Sequence, residues 1–128
     1  KCLMLDLADL YFPSYGLIAT EETIESRGDA LKKLVEVEQR AWAEIKENPQ
    51  AGVEAVMNQR PDAQLNPDVL RHQIELTVEY FDTESTAGKP IGWQSEEDWT
   101  MALEGMEKIG LIAPGWTVSD YYTNDLVE

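Results

Sequence analysis

The chain begins with a period of two and changes to a period of 3.6. In "CLMLDLADLYF", Leu3, Leu5 and Leu7 alternate with Met4, Asp6 and Ala8, the spacing of a half-buried strand. "YFPSYG" interrupts it with a proline and a glycine. The short apolar run Gly16–Thr20 then predicts a second strand. From about Asp29 to Lys46 the apolar positions Leu31, Leu34, Val35, Ala41, Trp42 and Ile45 form one helical stripe, crossed only by Glu38. Ser26 or Asp29 is placed to cap it.

Two further helices are announced by the same device. Asn48-Pro49 and Asn66-Pro67 each pair a cap with a proline at the first helical position, where its missing N–H costs nothing. Val53, Val56 and Met57 form the face of the first. Leu70, Ile74, Thr77, Val78 and Phe81 line that of the second. "DTESTAGKPIGWQ" reads as a loop. The last helix is the best marked. Ser95 caps it, Asp98 completes the capping-box spacing, and Glu96 and Glu97 sit at the positive end of its dipole. Trp99, Ala102, Leu103, Met106 and Ile109 supply its stripe, and Gly110 suits the left-handed C′ position. Gly105 inside it predicts a close packing contact.

The expected fold is therefore mostly α with two short N-terminal β-strands. It reads as one domain over 1–128: a strand and crossing segment at 1–20, helices at 21–110 and a tail at 111–128. Two short strands cannot make an independently stable sheet. They read as borrowed from a sheet whose other strands are missing.

Charge narrows the partners. Twenty-five acidic residues against 10 basic give a formal net charge of −15, which disfavours nucleic acid and anionic lipid. Hydrophobic residues make up 43% of the 128, enough for a packed core. The lone cysteine, Cys2, allows no internal disulfide and has no histidine beside it. No apolar run approaches the ~20 residues of a membrane span, and no signal peptide is visible. A start at Lys1 without Met suggests a mature product, an engineered piece or a fragment.

Little in the chain points to catalysis. His72 is the only histidine and falls off the main stripe of its helix, without neighbours at metal-ligand spacing. No phosphate loop, nucleophile elbow or metalloprotease run is present. The carboxylate groups Glu21–Glu22, Glu36–Glu38 and Glu96–Glu97–Asp98 sit at helix starts or on polar faces, where solvation and the dipole account for them. No cofactor and no metal site is expected. The aromatic residues are more informative. Tyr11, Phe12 and Tyr15 surround Pro13 between the two expected strands, a place where rings commonly line small-molecule pockets, although filling core or an interface is the commoner use of such rings. Trp42 reads as core, and Trp93 and Trp99 as anchors for the loop and the last helix.

The stretches "YGLIATEETIES", "LKKLVEVEQRAWAEIKENPQAGVEAV", "GKPIGWQSEEDWTMALEGMEKIGLI" and "VSDYYTNDLV" together resemble the C-terminal portion of the NMT1/THI5-like family of substrate-binding proteins that serve ABC importers. The resemblance covers nearly all of this chain and about the last two-fifths of a full family member. It implies the C-terminal part of a periplasmic-binding-protein type 2 α/β clamshell, with the solute held in the cleft. Tyr11, Phe12, Ser14 and Tyr15 correspond to the crossing between lobes and would face that cleft. The last helix and the tail would wrap onto the first lobe, with Tyr121, Tyr122 and Leu126 sealing the tail. Thr123 and Asn124 would supply local side-chain to backbone bonds.

Further implications are a small organic solute such as a thiamine-pyrimidine precursor, riboflavin or a sulfonate, an ABC permease as partner, and a periplasmic or other extracytoplasmic location. Enzymatic relatives carry a Cys-rich, His-containing segment that this chain lacks, so an enzyme is not expected. The alternative is a non-catalytic acidic helical interaction domain derived from that family. In either case, apolar stripes made to clasp a missing sheet predict self-association into a homo-oligomer, including by strand or helix exchange.

Overall fold

A computed structural model describes residues 16–127 of the chain. Four α-helices carry it: α1 (Glu21–Glu47), α2 (Pro49–Gln59), α3 (Pro67–Glu79) and α4 (Glu96–Lys108). Single 3₁₀ turns lie at Pro61–Ala63, Glu84–Thr86 and Val118–Asp120.

The expected fold class is corrected here. Among the described residues there is no strand and no sheet, so the two-strand, α/β expectation fails and the architecture is helical. Gly16–Thr20 is exposed backbone leading into α1. Among the described residues its apolar side chains meet no neighbouring strand, and Ile18 is 98% exposed. The run ends where the Thr20 hydroxyl accepts the Thr23 N–H at 3.2 Å and starts a helix. A short apolar run becomes a strand only where a partner supplies the ladder. The other expected strand, Leu3 to Ala8, lies outside the described residues.

The helix expected from Asp29 begins at Glu21. Ser26 is not its cap, because the Ser26 hydroxyl donates to the Glu22 carbonyl at 2.6 Å within the helix. The boundary read from Ser26 and Asp29 survives as a kink at Arg27, whose backbone (φ −134°, ψ 22°) leaves the helical region. α1 then runs straight into α2 through Asn48. That residue bonds back through its own N–H to the Glu44 carbonyl at 2.8 Å and forms no side-chain cap. Asn66, by contrast, is a full cap: its carbonyl oxygen accepts from Asp68 and Val69 N–H at 2.9 and 3.3 Å.

α2 and α3 pack closely, and α1 lies against both. Val53 and Ile74 are buried where they meet. Gly52 makes the crossing possible. A Cβ there would stand 3.1 Å from Ile74 Cδ1 and 3.3 Å from Ile45 Cγ1, so all three helices converge on a position that has no side chain. Trp42 meets Phe81 edge-on with ring centres 4.7 Å apart, and Lys46 bridges to Asp82 at 2.8 Å. Both contacts hold the end of α3 against α1.

α4 belongs to a second cluster. Ala102 and Leu103 are buried, Leu103 completely. The Gly110 N–H bonds the Glu107 carbonyl and the Leu111 N–H the Met106 carbonyl, both at 2.9 Å. This paired pattern is a Schellman ending, with Gly110 at φ +76°. The Gln39 side-chain amide joins the clusters by donating to the Ile91 carbonyl at 3.0 Å.

Candidate functional site: the tail latch and the uncovered helix faces

Tyr11, Phe12, Ser14 and Tyr15, the residues expected to face a cleft, lie outside the described residues, as does Cys2. What the structure does assemble is the closing segment. Ser95 starts α4 by accepting the Asp98 N–H at 3.3 Å. Two acidic residues of that first turn hold the preceding loop. The Thr83 hydroxyl donates to Asp98 Oδ2 at 2.7 Å and the Ser85 hydroxyl to Glu97 Oε2 at 2.9 Å. Thr83 and Thr86 cap the intervening turn reciprocally. These carboxylates thus act as acceptors for neighbouring hydroxyls at a helix N-terminus.

The tail returns to this loop. The Asn124 side chain pairs with the backbone of Gln94 twice. Its carbonyl oxygen accepts the Gln94 N–H and its amide donates to the Gln94 carbonyl, both at 2.9 Å. One amide thereby replaces a strand partner for a residue 30 positions away. The Gln94 side chain in turn accepts from the Trp99 indole at 2.9 Å. Tyr122 stacks on Trp99, ring centres 6.0 Å apart and planes 7° from parallel, while Tyr121 lies tilted at 6.4 Å. The Trp116 indole donates to Glu107 Oε2 at 2.6 Å. Gly115, at φ +94°, allows the turn that brings Trp116 back.

The tail, expected to fold back, does so. It closes on α4 and its own loop. Thr123 makes the local bond foreseen, accepting the Asp125 N–H at 3.1 Å, whereas Asn124 bonds at long range. Tyr121 and Leu111 remain exposed. The Gln94–Asn124 pair and the Trp116–Glu107 bond went unread in the sequence. Only "Asn" in an acidic aromatic tail hinted at the first, and nothing at the second.

Trp93 is half-buried, with the Lys89 ammonium 5.1 Å from its ring centre, which fits an anchoring role in the loop. His72 is exposed on α3. Among the described residues no cluster of three histidine, cysteine or acidic residues is arranged to hold a metal ion. A shallow open hollow on α2 is lined by Ala55, Val56, Gln59 and Arg60. Among the described residues no helix is long and apolar enough to cross a membrane.

The other outstanding feature is uncovered apolar surface. Leu34 and Ala41, expected in the buried stripe of α1, are exposed, as are Val37, Val69, Leu76 and Tyr80. The bundle is too small to bury more than one stripe per helix.

Comparison with known proteins gives one informative likeness. The chain is 26% identical over 113 residues to the riboflavin-binding protein RibY of Chloroflexus aurantiacus, a match covering 88% of this chain and 32% of that protein. The chain thus spans about a third of the length of the curated relative it matches. No family model matches the chain, and no solved structure matches it. The likeness is to a binding protein and supports a solute-binding relationship at this coarse level.

Proposed function

We propose that this chain is the C-terminal part of a solute-binding protein. That protein takes up a small, planar heteroaromatic solute of the riboflavin or thiamine-pyrimidine type outside the cytoplasm and hands it to an ABC permease. It performs no chemistry on the solute. The observation that carries the reading is the likeness to RibY, because it extends over 88% of the chain and not over one helix. Tyr11, Phe12, Ser14 and Tyr15 are the residues we assign to the solute, by stacking and hydrogen bonding.

Calorimetric titration with riboflavin, a thiamine-pyrimidine precursor and an alkyl sulfonate tests it. Saturable heat with riboflavin or the thiamine-pyrimidine precursor, and none with the sulfonate, is expected, lost when Tyr11 and Tyr15 are both replaced by Ala. Flat titrations with both heteroaromatic ligands, in the longest polypeptide the gene encodes, overturn it. They would favour the second reading, a non-catalytic acidic helical interaction domain. The uncovered apolar side chains on α1 and α3 speak for that reading.

A further inference from the structure

The tail after Gly110 is held by few groups, and all of them sit at one end of the molecule's chain order. From Glu104 to Val127 no residue is fully buried, although Ala102 and Leu103 just before them are. The tail's internal hydrogen bonds are those of turns. Asp120 N–H donates to the Thr117 carbonyl, Tyr121 to Val118 and Val127 to Asn124, at 3.0, 3.1 and 3.0 Å. Its hydrogen bonds to the rest of the described residues run from the Trp116 indole to Glu107 and between the Asn124 carboxamide and Gln94. Tyr121 and Tyr122 add ring contacts with Trp99. Every one of these contacts lands on α4 or on Gln94 just ahead of it. Few buried side chains and a partly exposed backbone mark the low end of local stability, and the buried Val53 and Ile74 of α2 and α3 mark the high end.

Gln94 joins the tail's contacts into one circuit. Its backbone holds both ends of the Asn124 carboxamide at 2.9 Å. Its side-chain carbonyl accepts the Trp99 indole at 2.9 Å, while its side-chain amide donates to the Gly92 carbonyl at 3.0 Å. The indole bond fixes how the Trp99 ring lies, and Tyr122 stacks on that ring with the planes 7° apart. Tyr122 and Asn124 are separated in the chain only by Thr123. Once either is seated, the other is already beside its partner, so the second contact costs little further chain entropy.

We infer that residues 111–127 form a latch that opens and closes as one unit while α1, α2 and α3 stay folded, and that Gln94 is the positioning residue that couples its two contacts. Gln94 acts on the tail directly, through its backbone, and a second time through Trp99, whose ring it holds for Tyr122. Opening frees the backbone edge of Gln94 and uncovers the Trp99 ring without breaking a helix. The inference is independent of any solute.

Native-state hydrogen exchange followed by NMR in low urea reads it out on the parent chain. The Gln94 amide, bonded to Asn124, reports the latch, and the Ile74 amide, inside α3, reports the helical part. Gln94 is expected to be at least about tenfold less protected than Ile74, with a shallower urea dependence because its opening exposes less surface. Tyr122→Leu should lower Gln94 protection by about threefold or more, although it removes no bond of that amide. Gln94→Leu keeps the backbone pair, removes the acceptor of the Trp99 indole, and should have the same effect. In the double variant the two losses should not multiply, because the Gln94 side chain serves the latch through the ring on which Tyr122 stacks. A Gln94 amide with the protection and urea dependence of Ile74 overturns the inference, since the tail would then open only in global unfolding. So does Gln94 protection indifferent to Tyr122→Leu. Losses that multiply in the double variant also overturn it, because the Gln94 side chain would then be a separate structural contact.

Discussion

Replacing Asn124 by Asp changes one group of the latch while keeping its shape. The carbonyl oxygen that accepts the Gln94 N–H at 2.9 Å becomes a carboxylate oxygen and accepts at least as well. The amide that donates to the Gln94 carbonyl at 2.9 Å becomes a second oxygen facing an oxygen. The lost bond contributes about 1 kcal/mol, and two acceptors opposed in a half-buried site cost on the order of 1–3 kcal/mol more. The stronger charge-assisted bond to the Gln94 N–H returns about 1 kcal/mol. The expected net loss is about 2 kcal/mol, or some thirtyfold in the closed-to-open ratio of the tail. Hydrogen exchange of the Gln94 amide measures that ratio, and near-ultraviolet circular dichroism of the Trp99–Tyr122 stack follows the same opening.

The pH dependence gives this prediction its sharpest form. Once protonated, the carboxyl introduced by Asn124→Asp again donates to the Gln94 carbonyl. The closed state therefore favours the neutral acid and raises its pKa above the open-chain value of about 3.9. Stability from a raised acid is present at low pH and lost as pH rises through the folded pKa. Relative to the parent chain measured at each pH, the variant should therefore be impaired at pH 7 and largely restored near pH 3. Unchanged Gln94 protection at pH 7, or an equal deficit at both pH values, would refute the assignment of Asn124 as a two-bond backbone partner.

The two Asn-Pro helix starts separate a true cap from a formal one. Asn66→Ala should lose about 1 kcal/mol in urea unfolding, and Asn48→Ala distinctly less, since only Asn66 accepts helix N–H groups. Leu103→Ala empties the most buried large side chain and should cost about 2–5 kcal/mol, seen as a fall in thermal midpoint. At Gly52, Ala sets about 1 kcal/mol of gained helix propensity against a Cβ 3.1 Å from Ile74, leaving stability near its starting value. Gly52→Leu has no such room and should lose about 1–3 kcal/mol in the same denaturation assay.

The sequence by itself determined α2, α3 and α4 closely, because their signals are local. Pro49, the Asn66 amide and the Ser95 hydroxyl act on backbone groups within three residues, and Gly110 ends α4 by its own conformational freedom. Local signals also competed. Ser26 and Asp29, expected as caps, lie inside the helix; Thr20 caps it instead, and the boundary near Ser26 is reduced to a kink at Arg27. Gly16–Thr20 has the apolar content of a strand, yet a strand is a pairing, and pairing is not written in five residues. The candidate solute residues were legible only as an aromatic cluster around Pro13, since what they face depends on chain that folds around them. Tertiary structure alone decided three things. It left Leu34 and Ala41 of the expected α1 stripe exposed while Ile74 of α3 is buried, because a helix shows periodicity on its own but acquires an inside only from its neighbours. It placed Asn124 on the backbone of Gln94 across 30 residues. It made Gly52 the point where three helices meet, a role that a missing side chain cannot announce in one dimension.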